Sequence, residues 1–190
     1  VMIGGFGASG SPIELIHALI DHGARDLTVI NNNTGNGEVG LAALIGNGQV
    51  RKMICSFPRS SQSRVFPELY KAGKIELELV PQGTLAERIR AAGAGIPAFY
   101  TPTTVGTVLA ENKEVRQFDG RDYVMEPWLK ADFALIKCEK ADSQSIGVIL
   151  RSEHGHGREN APRGDGGFGL PCWNEGGICG RKLAKDLKSS

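Results

Sequence analysis

Residues Val80–Arg88 read VPQGTLAER and join a predicted strand to a predicted helix. The preceding segment, Ile75–Val80, alternates apolar and charged residues before it becomes apolar, which predicts a largely buried strand. In open α/β sheets, ligands bind outside the carboxyl ends of the strands. Because Gln82 follows this strand directly, we expect its side chain to lie at a ligand site.

The turn around Gln82 carries its own signals. Thr84 and Glu87 have the spacing of a capping box, so the helix is predicted to begin at Thr84. Pro81 and Gly83 are predicted to fix the turn between strand and helix. A neutral amide there can hold an oxygen that becomes negative during a reaction without adding a charge of its own. The alternative is a polar residue that only solvates the turn.

A second junction of the same kind, Met2–Pro12, reads MIGGFGASGSP. Ser11 is a suitable N-cap, Pro12 suits the first helical position, and Glu14 completes a second capping box. The apolar residues that follow recur at helical spacing up to a glycine, which predicts a helix over 12–22.

The glycine-rich loop also matches a nucleotide-binding pattern. Gly5–Gly10 fits G-x-G-x-x-G, the dinucleotide fingerprint, which needs an acidic residue at the end of the next strand. Here Leu27–Ile30 runs into asparagines, and the first carboxylate comes only at Glu38. A dehydrogenase domain is therefore disfavoured and remains an alternative, as does a non-catalytic α/β binding module. Glycines still allow a ligand to approach the backbone closely.

Predicted strands and helices alternate along the chain. This order predicts an α/β fold, with an open, mostly parallel sheet and helices on both faces. Residues Val115–Phe118 and Tyr123–Glu126, joined across Asp119-Gly120, predict a hairpin. The predicted helices are 12–22, 38–46, 62–72 and 84–92, and the predicted strands are 27–30, 50–56, 75–80 and 132–138.

Composition excludes little beyond a few broad classes. The chain has 190 residues, 41% of them hydrophobic, and a net charge of +1, so nothing indicates binding to nucleic acid or to a membrane. No apolar run approaches the ~18 to 20 residues that cross a bilayer, and no signal peptide is visible. The four cysteines are scattered, and we expect a reducing cytoplasm.

The two junctions together resemble the A subunit of the family I 3-oxoacid CoA-transferases. Asn32-Asn33 followed by Gly35 looks like that family's Asn-Asn-Ala-Gly loop, with Thr34 in place of alanine. The segments 81–88, 95–100 and 132–137 are similarly close, and the resemblance extends from Val1 to about Asp142. The residues that match the family's amino-terminal signature are Gly4, Gly5, Phe6, Gly10 and Pro12.

The resemblance implies transfer of CoA from succinyl-CoA to a 3-oxoacid. The nucleophile is a glutamate of the partner B subunit, which becomes a glutamyl-CoA thioester, while the glutamine that matches Gln82 stabilises the oxyanion. No motif here matches the one that carries the glutamate, so we expect half an enzyme, active as an A2B2 heterotetramer. No cofactor or metal is expected. The residues expected to bind CoA or substrate are Gly4, Gly5, Phe6, Gly7, Gly10, Asn32, Asn33, Arg59 and Gly83.

The choice of acceptor depends on the segment Cys55–Arg59, which resembles 3-oxoadipate enzymes more than acetoacetate enzymes. Oxoadipate has a distal carboxylate that acetoacetate lacks, and an arginine can bind it through two parallel hydrogen bonds. Arg59 and Arg64 are the candidates, and a solvated loop arginine is the alternative for each. We expect 3-oxoadipate as the acceptor, with acetoacetate as the alternative.

The ends of the chain depart from the family. Family members begin about twenty residues earlier, so the domain, residues 1–151, is expected to be truncated at its amino terminus. The family's Thr-Gly-Tyr-Gly-Thr loop reads Thr103–Thr107, TTVGT. Residues 152–190 are rich in glycine and poor in large apolar residues, which predicts a poorly ordered tail. A shift of one base near Ser152 would restore a family-like sequence, and resequencing the gene tests this frameshift hypothesis.

Overall fold

The computed structural model describes residues 1–7, 9–59 and 62–137, which form two sheets and four α-helices. The helices are α1 (Ile13–His22), α2 (Leu41–Gly46), α3 (Val65–Lys71) and α4 (Gln82–Gly93). The strands are β1 (Met2–Ile3), β2 (Leu27–Ile30), β3 (Val50–Cys55), β4 (Glu76–Leu79), β5 (Ala98–Thr101), β6 (Val115–Phe118), β7 (Arg121–Pro127) and β8 (Ala134–Leu135).

The larger sheet has the strand order β4-β3-β2-β1-β8, and every neighbouring pair is parallel. Successive strand residues point to opposite faces, so each strand contributes to two cores. Val29 and Met53 pack on one face against the helices α1, α2 and α3, whereas Ile30 and Ile54 pack on the other face against α4. The predicted parallel sheet with helices on both faces is confirmed.

The smaller sheet is antiparallel, with the order β5-β7-β6. The predicted hairpin is present as β6 and β7. Asp119 and Gly120 form its turn, and both have a positive φ, of 48° and 73°, as hairpin turns of two residues require. The sequence did not reveal that β5 completes a separate sheet, because its pairing with β7 joins residues far apart in the chain.

Helix α4 joins the two sheets through Arg88, which is buried. Its Nε donates to the backbone oxygen of Pro127 over 2.8 Å, and its Nη1 contacts Glu78 Oε1 at 2.9 Å. Glu78 also accepts from Lys52 Nζ at 2.6 Å. Burial acts to raise the pKa of Glu78, and the hydrogen bonds from Lys52 and Arg88 outweigh it, so the pKa lies below its usual value. The contacts of Arg88 hold the helix that begins at Gln82.

Both predicted capping boxes are wrong. Helix α4 begins at Gln82, two residues before the predicted start, with Pro81 as its N-cap and no side-chain cap. Thr84 is buried inside the first turn of this helix. Helix α1 begins after Pro12, where Ser11 makes no side-chain cap either. In both places a proline, which has no N–H and a fixed φ, sets the start of the helix instead.

Two further expectations need correction. Gly83 lies within α4 and has no positive φ, so it is not a turn glycine. Strand β4 is not largely buried, because it lies at the edge of the sheet, and Leu79 is 40% exposed. The tail at 152–190, and the end of the predicted domain beyond residue 137, lie outside the described residues.

Candidate active site

Four loops meet at the carboxyl edge of the larger sheet, since β1 to β4 are parallel and end on the same side. The glycine-rich loop follows β1 and the asparagine loop, residues 31–35, follows β2. Residues 56–59 follow β3, and Gln82 follows β4. The structure therefore brings together the segments that the sequence indicated as a ligand site.

The glycine-rich loop is tightly folded. Phe6 and Ser9 exchange two backbone hydrogen bonds, of 2.9 Å and 3.2 Å. Gly5 has a φ of +113°, and a Cβ there would lie 3.1 Å from the backbone of Ser11, so this position requires glycine. Gly4 donates its N–H to Leu135 O, which ties the loop to the neighbouring strand. The Phe6 side chain is 60% exposed.

The asparagine loop is buried and bound from within. Asn31 donates through Nδ2 to Ile3 O at 2.7 Å, at the end of the neighbouring strand β1. Its Oδ1 accepts the backbone N–H of Asn33 at 2.9 Å. Asn31 occupies the end of β2, where a dinucleotide-binding protein would carry its acidic residue, and its side chain holds the protein backbone instead.

Gly35 closes this loop. It has a φ of +82°, and a Cβ would lie 2.5 Å from the backbone nitrogen of Ala42. No side chain fits at such a distance, so the loop packs directly on helix α2 because residue 35 is glycine. The Gly35 N–H donates to Asn33 Oδ1 at 2.7 Å.

Gln82 is the first residue of α4 and is held through one end of its amide. Asn32 Nδ2 donates to Gln82 Oε1 at 2.6 Å, and the Ser56 hydroxyl contacts the same oxygen. Gln82 Nε2 is buried and has no partner among the described residues. A buried N–H group without a partner is costly, and such groups are usually satisfied by a ligand, water or another chain.

The charges near Gln82 favour a developing anion. The amide side chains of Asn32 and Gln82 and the hydroxyl of Ser56 are neutral, and the amino terminus of α4 carries a partial positive charge. Cys55, one residue from Ser56, is buried, and burial raises the pKa of its thiol to about 12. Cys55 therefore stays protonated and is not a nucleophile at neutral pH.

A pocket of about 300 Å³ opens beside the asparagine loop. It is lined by Phe6 and Gly7, by residues 32–36, and by Phe57 and Ser63. Gln82 is not among the lining residues and reaches this wall only through its bond to Asn32. The two exposed phenylalanines suit a flat or apolar part of a ligand.

The remaining predicted site residues are placed less closely. Arg59 is exposed, in the segment between Phe57 and Ser63 that forms one side of the pocket, and Arg64 is exposed at the start of α3. A Cβ on Gly83 would meet no atom within 4 Å, and the same holds for Gly7. Gly10 has a φ of +67° and lies at the end of the glycine loop.

Sequence reasoning missed the part played by Ser56 and Asn31. The signal was available, since both follow a strand at the carboxyl edge, as Gln82 does. Among the described residues, no group of three or more His, Cys, Asp or Glu side chains is arranged to hold a metal ion. No helix in the described ranges is long and apolar enough to cross a membrane.

The fold and the site define an α/β protein that gathers neutral hydrogen-bond donors at the carboxyl edge of a parallel sheet. A family model described as "Coenzyme A transferase" matches residues 1–156, and the chain belongs to this family. The resemblance found in the sequence is thereby confirmed, and the dehydrogenase alternative is displaced.

Individual relatives narrow the comparison. The chain is 67% identical over 142 residues to the A subunit of 3-oxoadipate CoA-transferase from Pseudomonas putida, covering 75% of this chain and 62% of the relative. It is 50% identical over 143 residues to the A subunit of a probable succinyl-CoA:3-ketoacid coenzyme A transferase from Bacillus subtilis, covering 75% and 59%. The chain thus spans about three fifths of the length of these curated relatives.

A solved structure supports the fold. Glutaconate coenzyme A-transferase from Acidaminococcus fermentans superposes with a TM-score of 0.66 at 23% identity. The match covers 81% of this chain and 55% of that chain.

Proposed function

We propose that this chain is the A subunit of a 3-oxoacid CoA-transferase, which moves CoA from succinyl-CoA to 3-oxoadipate. The names of the bacterial relatives support this proposal, and so does the matching order of the glycine loop, the asparagine loop and the glutamine. The single observation that carries it is the buried Nε2 of Gln82, which has no partner among the described residues. It is the kind of neutral donor that acyl transfer needs for its oxyanion.

The proposed chemistry moves an acyl group twice. A carboxylate attacks the thioester carbonyl of succinyl-CoA, and the carbonyl oxygen becomes an oxyanion that accepts from Gln82 Nε2. The C–S bond breaks, leaving an anhydride and the CoA thiolate. The thiolate then attacks the enzyme's side of the anhydride, which releases succinate and leaves an enzyme-CoA thioester. The 3-oxoacid receives CoA by the same steps in reverse.

We assign the attacking carboxylate to a partner B subunit. Among the described residues near Gln82, the charged carboxylates already have partners: Glu78 pairs with Arg88 and Lys52, and Glu87 pairs with Arg90 at 2.6 Å. The relatives are named as one of two kinds of subunit, which supports a heteromer. We propose two copies of each kind, in the cytoplasm, as expected from the resemblance and from the cysteine usage.

The acceptor rests on Arg59. An exposed arginine beside the pocket could bind the distal carboxylate of 3-oxoadipate, and the higher identity to the Pseudomonas putida relative agrees with this choice. Acetoacetate is the second candidate, favoured by the name of the Bacillus subtilis relative. A non-catalytic binding module is the remaining alternative.

A trapping experiment tests the proposal. The chain is mixed with succinyl-CoA in the presence of its B subunit, the enzyme-CoA thioester is captured with hydroxylamine, and the modified residue is located by mass spectrometry. The expected result is a label on a glutamate of the B subunit, with no transfer by either chain alone. A label on any residue of this chain would overturn the assignment of the nucleophile, and absence of transfer by the mixture would favour the binding module.

A further inference from the structure

Three side-chain amides are connected in series between the backbone and Gln82. The Gly35 N–H donates to Asn33 Oδ1 at 2.7 Å, and Asn33 Nδ2 donates to Asn32 Oδ1 at 3.3 Å. Asn32 Nδ2 then donates to Gln82 Oε1 at 2.6 Å. Asn32 and Asn33 are 8% and 6% exposed, and the series ends at Gln82 Nε2, which has no partner among the described residues.

The direction of this series has a single origin. A primary amide has nearly the same shape when its oxygen and nitrogen are exchanged, so its orientation is set by its neighbours. The backbone N–H of Gly35 can only donate, and Asn33 must therefore turn its oxygen toward it. Each following amide then has to present its oxygen to the one before. Gln82 is left with its NH₂ group directed away from Asn32.

The Ser56 hydroxyl cannot set this direction. It contacts Gln82 Oε1, lies 3.1 Å from the backbone oxygen of Asn32, and can rotate to donate to either. A hydroxyl can also accept, so it would tolerate Gln82 in both orientations. Gly35, in contrast, is immobilised, because its Cα packs against the backbone of Ala42.

We propose that Asn33 is a positioning residue, whose amide sets, through Asn32, the direction in which Gln82 presents its donor. This inference rests on the proposed role of Gln82 in binding the oxyanion. It gives Asn33 a part other than the substrate contact expected from the resemblance. Amides in series also polarise one another, so the terminal Nε2–H becomes a stronger donor than an isolated amide.

The substitution Asn33→Asp tests the proposal in the assembled complex with the B subunit. The variant keeps an oxygen for the Gly35 N–H and the shape of the side chain, and it loses the donor to Asn32. Asn32 then turns its NH₂ group toward the new carboxylate, and Gln82 turns its own NH₂ group inward. We expect kcat to fall about 100-fold, the usual loss for one oxyanion donor, with KM for both substrates within about threefold.

The pH dependence separates orientation from simple damage. Protonation of the new carboxyl at position 33 creates an O–H that can donate to Asn32, which restores the original direction of the series. Burial raises the pKa of such a carboxyl above its usual value of about 4. The ratio of variant to wild-type kcat is therefore expected to rise as the pH is lowered toward that pKa. A merely structural defect would give a ratio that does not recover.

Two further variants complete the experiment. Asn112→Asp adds the same charge at an exposed turn outside the site, and we expect wild-type kinetics from it. Asn32→Asp places a carboxylate against Gln82 Oε1 and should show the same loss and the same recovery, which keeps the test decisive if the Asn33 variant does not assemble. Wild-type kcat, or a loss without recovery in the variants that assemble, would overturn the role of Asn33. An unaffected Gln82→Ala enzyme would instead overturn the proposed oxyanion role.

Discussion

The buried hydroxyl of Thr34 donates to the backbone oxygen of Pro58 over 2.8 Å and lies 3.2 Å from Ser63 Oγ. Thr34 is 2% exposed, and Pro58 directly precedes Arg59. The hydroxyl therefore ties the asparagine loop to the segment that carries the arginine proposed to select the acceptor. The loop that this one resembles has alanine at the position of Thr34, and alanine makes neither contact.

The first prediction is that Thr34→Val destabilises the chain. Valine has nearly the same shape and lacks the hydroxyl, so the Pro58 oxygen loses its buried donor. We expect the free energy of unfolding in urea to fall by roughly 1 to 2 kcal/mol. Thr34→Ser keeps the hydroxyl and is the matched control. Equal losses for valine and serine would show that the methyl group, and not the hydrogen bond, stabilises this contact.

The second prediction concerns Gln82. If its Nε2 donates to the oxyanion, Gln82→Ala should lower kcat of the assembled enzyme by roughly 10²–10³-fold. The contact matters chiefly in the transition state, so KM should change much less. Ser56→Ala, which leaves the Asn32 bond to Gln82 in place, should cost far less. Steady-state kinetics of the Gln82 variant within threefold of wild type would exclude the oxyanion role.

The third prediction separates the two acceptors. Arg59→Ala should lower kcat/KM for 3-oxoadipate by about 2 kcal/mol or more, because its distal carboxylate loses a charged partner. Acetoacetate lacks that group and should be affected far less. Arg64→Ala tests the second candidate arginine in the same assay. Equal losses on both acceptors would mean that Arg59 contacts CoA or has a structural role.

The larger sheet could be predicted from the sequence because its signals are local. Strand β2 was predicted with the same bounds as observed, since its apolar run ends at the asparagines that bind the neighbouring strand. The buried character of β4 was predicted wrongly, because strand order depends on long-range pairing that no local pattern contains. Its position at the edge leaves Leu79 half exposed.

The candidate site was predictable in its membership and not in its hydrogen bonding. Gln82, Asn32 and Asn33 follow parallel strands, and this alone places them at one edge. Which amide donates to which depends on the contact between Gly35 and Ala42, a packing distance that the sequence does not reveal. The same is true of the bond from Thr34 to Pro58.

The fourth prediction is a pH dependence of stability. The pKa of Glu78 is lowered by its bonds to Lys52 and Arg88, so its carboxylate stabilises the fold fully above the unfolded value of 4.5. That contribution is lost as the pH falls through the lower folded value. Glu78→Gln should therefore cost about 1 to 2 kcal/mol at pH 7, and the difference from wild type should shrink as the pH falls below about 4.5.

The neighbouring Glu76 provides the control for that measurement. It lies on the same strand, pairs with Arg51 at 3.1 Å, and has a side chain that is 61% exposed. Exposed pairs contribute little, so Glu76→Gln should change the free energy of unfolding by less than about 1 kcal/mol. Urea titrations at pH 7 and at about pH 3.5 compare the two variants. A constant difference between Glu78→Gln and wild type at both pH values would contradict the prediction.

The last prediction separates stability from activity at Gly83. This residue lies in the first turn of α4 without a positive φ, and a Cβ would meet no atom within 4 Å. Alanine is the better helix former, so Gly83→Ala should leave the stability unchanged or raise it by up to about 1 kcal/mol. If the acyl-CoA or the partner protein approaches the backbone beside Gln82, the added methyl group should lower kcat/KM at least tenfold. Thermal unfolding and kinetics of the same preparation provide both readouts, and a variant that is as active as wild type would show that nothing approaches Gly83 closely.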